Sequence, residues 1–229
     1  MTELARLSDT ERRGIIARHI EAGVNILLPD TVIIGADVKI EADTTILPGC
    51  ILEGKTTVGK HCEIGPDTRI VDSAIGEGCV VQSSFIENST VRDKSRLGPW
   101  CHIRPGSDIG KAAKLGNFVE VKNSNIGAHT SVSHLTYIGD SDVGKNCNLG
   151  CGVVTANYDG KNKHRTTVGD SCFIGCNSNF VPPVTLGDRV YCATGTTITG
   201  DVPAGALVIG RVRQEIKEGW SDRKGLFKK

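Results

Sequence analysis

Three side chains near the middle of the sequence have the chemistry of an anion site. Arg104 and Lys122 are 18 residues apart, and Tyr137 follows further along the chain. A guanidinium, an ammonium and a phenol hydroxyl on one surface would donate charge-assisted hydrogen bonds suited to phosphate. The alternative is an ordinary solvated surface column. The nearby acids that would neutralise the cations are Asp108, Glu120 and Asp140.

His134 is predicted at a corner of the chain, just before the surface that carries these three residues. A neutral imidazole there would accept a proton from a nucleophile held by the phosphate site, because its ordinary pKa of about 6.5 suits a base at neutral pH. The alternative is a surface histidine without a chemical role. We predict that His134 is a general base.

A zinc site is a competing hypothesis. His129 and His134 have the His-x4-His spacing of zinc ligands on a β-helix, and His102 would be the third ligand. The 27 residues from His102 to His129 correspond to one and a half 18-residue coils, which places the two on different faces. We therefore predict no metal.

A six-residue repeat must position these side chains. Neither a helical period of 3.6 residues nor simple strand alternation produces such spacing, and hexapeptide repeats form solenoids. The aliphatic ladder consists of Leu28, Ile34, Ile40, Ile46, Leu52, Val58, Ile64, Ile70, Leu97, Ile103, Ile109, Leu115, Val121, Val132, Ile138, Val168, Ile174, Phe180, Leu186, Cys192 and Ile198.

A small side chain such as Thr44 or Thr56 follows most ladder residues by four positions. It lies two positions before the next aliphatic residue, so both point inward from a short strand. Three hexads close an 18-residue coil, and this pattern resembles the left-handed parallel β-helix of the hexapeptide-repeat family. The hand is implied by that resemblance, since ordinary parallel crossovers are right-handed. Glycines at Ile34-Gly35, Val58-Gly59, Ile64-Gly65 and Leu97-Gly98 suit turns with positive φ.

Most of the nine cysteines fall on inward positions. We predict them to be buried core residues rather than disulfides or metal ligands. In Cys147-x3-Cys151 and Cys172-x3-Cys176 the first residue faces inward and the second a corner, which argues against zinc. The predicted inward set is Cys50, Cys62, Cys79, Cys101, Cys147, Cys172 and, on a ladder position, Cys192.

Interruptions of the repeat divide the chain. Residues 1–24 contain Ser8-Asp-Thr-Glu11, a capping box before a connector helix that runs through about His19. Residues 25–210 form the β-helix, with a protruding polar loop at 153–167. Five-residue spacings at Ile75 and Ile86 need only tighter corners. Residues 211–229 are a polar and basic tail.

Composition narrows the partners and the compartment. A formal net charge of +1 gives no indication of the basic surface that nucleic-acid binding requires. No apolar run approaches the length of a membrane span, and the chain begins without a secretory apolar region. We therefore expect a cytoplasmic protein without membrane contact.

Five segments carry a more specific resemblance. They are GNFVEVKNS (116–124), SHLTYIGD (133–140), NYDGKNKHRT (157–166), VPAGALVIGR (202–211) and KEGW (217–220). In this order the chain, from about Glu11 to Trp220, resembles the C-terminal domain of the bacterial bifunctional UDP-N-acetylglucosamine pyrophosphorylase/glucosamine-1-phosphate N-acetyltransferases. The resemblance implies acetyl transfer from acetyl-CoA to glucosamine 1-phosphate, a step toward UDP-N-acetylglucosamine for peptidoglycan and lipopolysaccharide. It also implies a homotrimer with sites between subunits.

The resemblance assigns a role to each matching residue. His134 matches the general base, Arg104, Lys122 and Tyr137 match sugar-phosphate contacts, and Asn148 matches a further sugar contact. Lys163 matches a loop lysine that reaches a neighbouring subunit's phosphate. The implied acetyl-CoA contacts are Asn157, Tyr158 and Arg211, together with the cofactor-lining positions Cys151, Cys176 and Thr194, where the family usually has Ala, Ser and Ala.

The family's N-terminal nucleotidyltransferase domain is not found in this sequence, so we expect acetyl transfer without pyrophosphorylase activity. Two alternatives remain open. One is an acetyltransferase for another amino or hydroxy sugar. The other is a non-catalytic hexapeptide subunit that scaffolds a separate nucleotidyltransferase chain.

Overall fold

The computed structural model describes residues 7–226 and shows a parallel β-solenoid of about 10 turns with a short N-terminal helix. This confirms the predicted all-β parallel architecture. The predicted connector at 1–24 and tail at 211–229 each extend into the residues outside that range.

The strands stack on three faces, which we name A, B and C. Face A contains β1 (Asn25–Ile26), β4 (Thr45–Ile46), β7 (Glu63–Ile64), β10 (Val80–Val81), β13 (Arg96–Leu97), β20 (Asn148–Leu149), β23 (Phe173–Ile174), β26 (Tyr191–Cys192) and β28 (Leu207–Val208). Face B contains β2 (Ile33–Ile34), β5 (Ile51–Glu53), β8 (Arg69–Val71), β11 (Phe85–Glu87), β14 (His102–Ile103), β21 (Val154–Thr155), β24 (Asn179–Phe180) and β27 (Thr197–Ile198). Face C contains β3 (Lys39–Ile40), β6 (Thr57–Val58), β9 (Ala74–Ile75), β12 (Thr90–Val91), β15 (Asp108–Ile109), β17 (Asn125–Ile126), β19 (Ser141–Val143), β22 (Thr166–Val168) and β25 (Val184–Leu186).

Two longer strands run from face A around the corner onto face B. They are β16 (Lys114–Lys122) and β18 (Ser131–Gly139), which pair in parallel along almost their whole length. All the residues of the predicted phosphate site except Arg104 and the loop lysine lie on these two strands. The site is therefore built where the solenoid has its most continuous pairing.

The inward positions agree with the predicted ladder, with one exception. Leu28 is 66% exposed and has a left-handed φ of 48° beside a 3₁₀ turn at Pro29–Thr31, so it is not a ladder residue. Ile26 is buried in its place and aligns with Ile46 on the next coil. The seven predicted inward cysteines are 3% exposed or less.

The prediction that the corner glycines have positive φ is correct for only some of them. Gly65 and Gly98 have positive φ as expected, but Gly59 does not. A Cβ on Gly59 would lie 2.9 Å from the backbone nitrogen of Glu77, so this glycine is needed for the close approach of two coils. In the regular corners, the left-handed conformation instead falls three residues after the inward aliphatic side chain, as at Asn146.

The N-terminal helix α1 spans Asp9–Glu21 and has the predicted capping box. The Ser8 backbone nitrogen donates to Glu11 at 2.7 Å, and the Glu11 nitrogen donates to the Ser8 hydroxyl at 3.3 Å. Ile15 and Ile16 are buried against the solenoid. A short helix α2 spans Trp220–Arg223. Across residues 7–226, none of the helices has the length and apolarity needed to cross a bilayer.

The protruding segment is shorter than predicted. Val153 is buried and β21 and β22 belong to the stacked faces, so residues 156–165 form the excursion. We call residues 156–165 the loop.

Candidate functional site

Arg104 and Lys122 stack on successive coils, as the 18-residue spacing predicts. Ile103 is in register with Val121, and the Arg104 nitrogen donates to the Val121 carbonyl at 2.8 Å. The Arg104 guanidinium also donates to Glu120 at 2.8 Å, which raises its pKa. Glu120 is thus the acid that partly neutralises Arg104.

Tyr137 lies near the cations although it does not occupy the register position that follows theirs. It is in register with Glu120, whereas Gly139 occupies the position that follows Lys122. The phenol ring turns over Gly139, where a Cβ would collide with the ring and lie 2.9 Å from Asn157 Nδ2. The missing side chain at Gly139 therefore makes room for the hydroxyl in the column of Arg104 and Lys122.

Lys163 lies beside Lys122 of the same chain. Its proximity is the main reason that the pKa of the Lys122 ammonium is lowered. Lys163 is held by an antiparallel bridge to Tyr158 within the loop. This contact forms within one chain, and the reach to a neighbouring subunit that the resemblance implies stays a prediction. Four residues form what we call the phosphate column: Arg104, Lys122, Tyr137 and Lys163.

The tip of the loop is ordered by one carboxylate. Asp159 Oδ1 accepts the backbone N–H groups of Lys161 at 2.8 Å and Asn162 at 2.6 Å, and Oδ2 lies 2.7 Å from His164 Nε2. These contacts, the Asn162 amide first, lower the pKa of Asp159 to about 2. The loop therefore has internal structure that presents Lys163.

The base of the loop is tethered by an ion pair. Arg165 donates two hydrogen bonds to Asp142, at 2.5 and 2.6 Å, and a third to the Asn123 carbonyl at 3.2 Å. Arg165 lowers the pKa of Asp142. The ion pair fixes the end of the loop against face C.

The two loop residues implied as acetyl-CoA contacts differ in their surroundings. Asn157 is 6% exposed and donates to Asp140, beside the phosphate column. Tyr158 is exposed and its hydroxyl donates to the Gly160 carbonyl at 2.6 Å. Neither contact brings these side chains to the predicted cofactor-lining cysteines of the same chain.

His134 stands at the corner between faces A and B, as predicted. It is exposed, pairs with Asn117 on the adjacent strand and precedes Leu135, whose φ is 36°. Tyr137 follows three positions later around this corner, so the two residues lie no more than roughly 10 Å apart, the length of three residues in a fully extended chain. The strand thus places an imidazole within the span of a small ligand bound at the phosphate column.

A second line of predicted residues extends from His134 along this corner. His134, Cys151, Cys176 and Thr194 each lie two residues beyond aligned inward residues of face A. At the far end the Arg211 Nε donates to the Thr194 carbonyl at 3.1 Å. We call these five residues the groove column. Three coil steps of roughly 4.8 Å make it about 14 Å long from His134 to Thr194, which suits a long, thin ligand.

Glycines allow the coils of the groove column to stack closely. A Cβ on Gly150 would lie 2.6 Å from the Cys176 nitrogen, and one on Gly175 would lie 2.5 Å from the Thr194 nitrogen. Cys151 is partly exposed and Cys176 is exposed, as expected for corner positions. Asn148 is exposed on face A, in register with Ser131.

The three histidines of the zinc hypothesis have separate surroundings. The His102 ring stacks on Phe85 with centroids 5.0 Å apart, and its Nε2 lies 3.3 Å from Glu87. His129 occupies a different corner from His134, with a φ of 59°. Within residues 7–226, His, Cys, Asp and Glu side chains form no group of three or more that could hold a metal ion.

An apolar ridge adjoins His134. Trp100, Phe118 and Leu135 are 58%, 57% and 61% exposed, at equivalent positions on three successive coils. The Trp100 and Phe118 rings stack with centroids 5.3 Å apart. Exposed apolar side chains grouped in this way mark interaction surfaces.

Sequence reasoning missed the residues that shape the loop. Asp140 was considered only as a neutralising acid, Asp159 only as a turn signal, and Asp142 and Arg165 were given no role. Two features of the sequence could have indicated these residues. One is the turn-forming Asp159 before Gly160. The other is Gly139, which occupies the position that Arg104 and Lys122 occupy on the two preceding coils.

Comparisons with known proteins support the sequence resemblance. Bifunctional protein GlmU of Clostridium acetobutylicum is 50% identical over 226 residues, which are 99% of this chain and 50% of that protein. Bifunctional protein GlmU of Thermoanaerobacter pseudethanolicus is 56% identical over 209 residues, 91% of this chain and 46% of that protein. The chain spans about half the length of the curated relatives it matches, and the similarity is to their C-terminal half.

Two further matches agree with the solenoid. The family model for the GMPPB C-terminal domain matches residues 33–107. The crystal structure of Arabidopsis UDP-N-acetylglucosamine acyltransferase aligns with a TM-score of 0.54 at 14% identity, covering 80% of this chain and 71% of that one. At this identity the structural match shows a common fold alone.

Proposed function

We propose that this chain N-acetylates glucosamine 1-phosphate with acetyl-CoA. The observation that carries the proposal is the phosphate column with the exposed imidazole of His134 on the same strand as Tyr137. Two lysines, an arginine and a phenol are suited to a phosphate dianion. Similarity to the C-terminal half of the bifunctional GlmU proteins supports the choice of substrates.

The proposed reaction is direct transfer. The phosphate column holds the sugar phosphate, and neutral His134 accepts a proton from its amine as the nitrogen attacks the thioester carbonyl. A C–N bond forms, the C–S bond breaks, and coenzyme A leaves as a thiolate that takes up a proton. The reaction needs no metal and no acyl-enzyme.

The groove column is the proposed site of acetyl-CoA. Its narrow line of small residues fits an extended thiol arm that ends near His134, and Arg211 at the far end would pair with the phosphates. Cys151, Cys176 and Thr194 differ from the family's usual small residues but leave the line narrow. Asn157 and Tyr158 are proposed to contact acetyl-CoA bound mainly to another subunit, and Asn148 to contact the sugar.

We infer that the functional assembly is a homotrimer and that the apolar ridge lies at a subunit boundary. Burial of the ridge would place His134 beside a second prism and complete a site between subunits. Phe118→Asn removes the aromatic surface and suits the left-handed φ of 58°. Sedimentation should show weaker assembly of this variant, whereas an unchanged oligomer would remove the ridge from the interface.

We propose residues 25–210 as the catalytic unit, with residues 1–24 and 211–229 as appendages. The cytoplasm is the proposed compartment, because exposed thiols such as Cys176 persist in reducing surroundings. A separately encoded nucleotidyltransferase remains a possible partner. Nucleic acid and membrane are not proposed as partners.

Incubation of the purified chain with acetyl-CoA and a panel of amino sugars tests the function. Formation of N-acetylglucosamine 1-phosphate with release of free thiol supports the proposal. Preference for another amino or hydroxy sugar would favour the first alternative. Turnover of none of them by a folded oligomer would favour a non-catalytic scaffold.

A further inference from the structure

Asp140 occupies the corner at which the loop, the phosphate column and the solenoid meet. Its backbone N–H donates to the Lys122 carbonyl at 3.0 Å, and its carbonyl accepts the Thr166 N–H at 3.1 Å. Its φ of 47° is left-handed, a conformation that Asp and Asn tolerate better than most residues. The backbone of Asp140 thus joins the phosphate column to the strand that follows the loop.

The side chain of Asp140 reaches the start of the loop. The carboxylate is 7% exposed and accepts from Asn123 Nδ2 at 2.5 Å and from Asn157 Nδ2. Burial by itself raises the pKa of Asp140, but the two amide donors and the charges of Lys122 and Lys163 outweigh it and lower the pKa overall. A buried carboxylate with two donors and two cations is held as the anion.

We propose that Asp140 is a positioning residue that locks the loop onto the phosphate column and allows Lys122 and Lys163 to lie side by side. This inference rests on the proposed function for its effect on turnover. Without the carboxylate, the two ammonium groups repel each other with less compensation, and Asn157 loses a charged acceptor. Further charged or titratable groups around this cluster are Arg165 with its partner Asp142, Arg104 with its partner Glu120, and Tyr137.

Asp140→Asn tests the proposal, because Asn keeps the side-chain size and tolerates the left-handed backbone. Asp72→Asn is the matched control. Asp72 lies two residues after an inward residue of face B, as Asp140 does, has a φ of 45° and accepts the Lys55 N–H at 2.9 Å. It is remote from the loop in the fold.

The first measurement is hydrogen exchange of residues 156–165 in the unliganded protein. We expect faster exchange in Asp140→Asn and unchanged exchange in Asp72→Asn. Equal exchange in wild type and both variants would overturn the positioning role, and this result does not depend on any enzymatic activity. If the wild type does not acetylate glucosamine 1-phosphate, the proposed function fails while the exchange result still decides the role of Asp140.

The second measurement is the pH profile of kcat/KM for glucosamine 1-phosphate. The charge of Asp140 raises the pKa of Lys122, so its removal should shift the alkaline limb to lower pH. We expect kcat/KM at neutral pH to fall about 10- to 100-fold, the scale of a small misplacement of reacting groups. An unshifted limb in Asp140→Asn, with wild-type activity present, would contradict the proposal.

Discussion

Lys163 on the loop lies close enough to Lys122 on β16 to lower the pKa of the Lys122 ammonium group. The two ammonium groups lie together next to the carboxylate of Asp140. A bound phosphate dianion would relieve their repulsion. In the proposed function, the loop supplies the phosphate column with a second ammonium group beside Lys122.

Lys163→Gln should move the alkaline limb of kcat/KM for glucosamine 1-phosphate to higher pH. Lys163 lowers the pKa of Lys122, so without it Lys122 keeps its proton to a higher pH. The KM for the sugar phosphate at neutral pH should rise, since one cation is lost. The substrate's own ionisations affect the pH profiles of wild type and Lys163→Gln equally, so they do not contribute to the difference between the two profiles.

Lys161→Gln is the control for loop charge, because Lys161 is in the same loop and contributes a backbone hydrogen bond to Asp159. Lys161→Gln should leave the alkaline limb of kcat/KM at the wild-type pH. A limb that fails to move in Lys163→Gln would mean that the two lysines act independently.

His134→Ala should leave the fold intact, because this side chain is exposed at a corner. Loss of a general base typically costs about 10²- to 10⁴-fold in rate. Turnover at saturating substrates and circular dichroism check the two expectations. His129→Asn, at another exposed corner, should retain wild-type turnover, and near-normal turnover of His134→Ala would refute the assignment.

Gly139→Ala should weaken binding of the sugar phosphate. The added Cβ collides with the Tyr137 ring, so the phenol hydroxyl must leave the phosphate column. Loss of one charge-assisted hydrogen bond of about 1.5 kcal/mol corresponds to about a tenfold rise in KM. Gly200→Ala adds a Cβ into open space and should behave as wild type. Equal KM values for the two variants would show that Tyr137 is not in the column.

Cysteine labelling tests the register of the solenoid. Burial raises the pKa of Cys50, Cys101 and Cys147 to about 11, so their thiols should resist alkylation in the native protein. Cys151 and Cys176 should react first and be shielded by coenzyme A. Mass mapping of the labelled sites checks this, and uniform labelling of all nine cysteines would contradict the inward assignments.

The solenoid was predictable because a six-residue ladder admits one arrangement of inward side chains. Arg104 and Lys122 could be paired from their spacing alone, since one coil separates them. Tyr137 was grouped with them as well, but the repeat does not reveal the gap at Gly139 through which its hydroxyl reaches the column.

The position of Lys163 also could not be predicted from the sequence. It depends on how Asp140 and Arg165 fold the loop back, and the repeat carries no information about a segment that leaves it. Leu28 was assigned wrongly because the repeat was extended one step past the first regular coil.

The most direct test compares kcat/KM of the wild-type chain for glucosamine 1-phosphate and for glucosamine, each with acetyl-CoA. In the proposed function the phosphate column would contribute charge-assisted bonds of about 1.5 to 3 kcal/mol each, so the phosphorylated sugar should be favoured on the order of 10²-fold or more. Arg104→Gln should reduce that preference. Equal kcat/KM for the two sugars would show that Arg104, Lys122 and Lys163 form a solvated surface and would contradict the account.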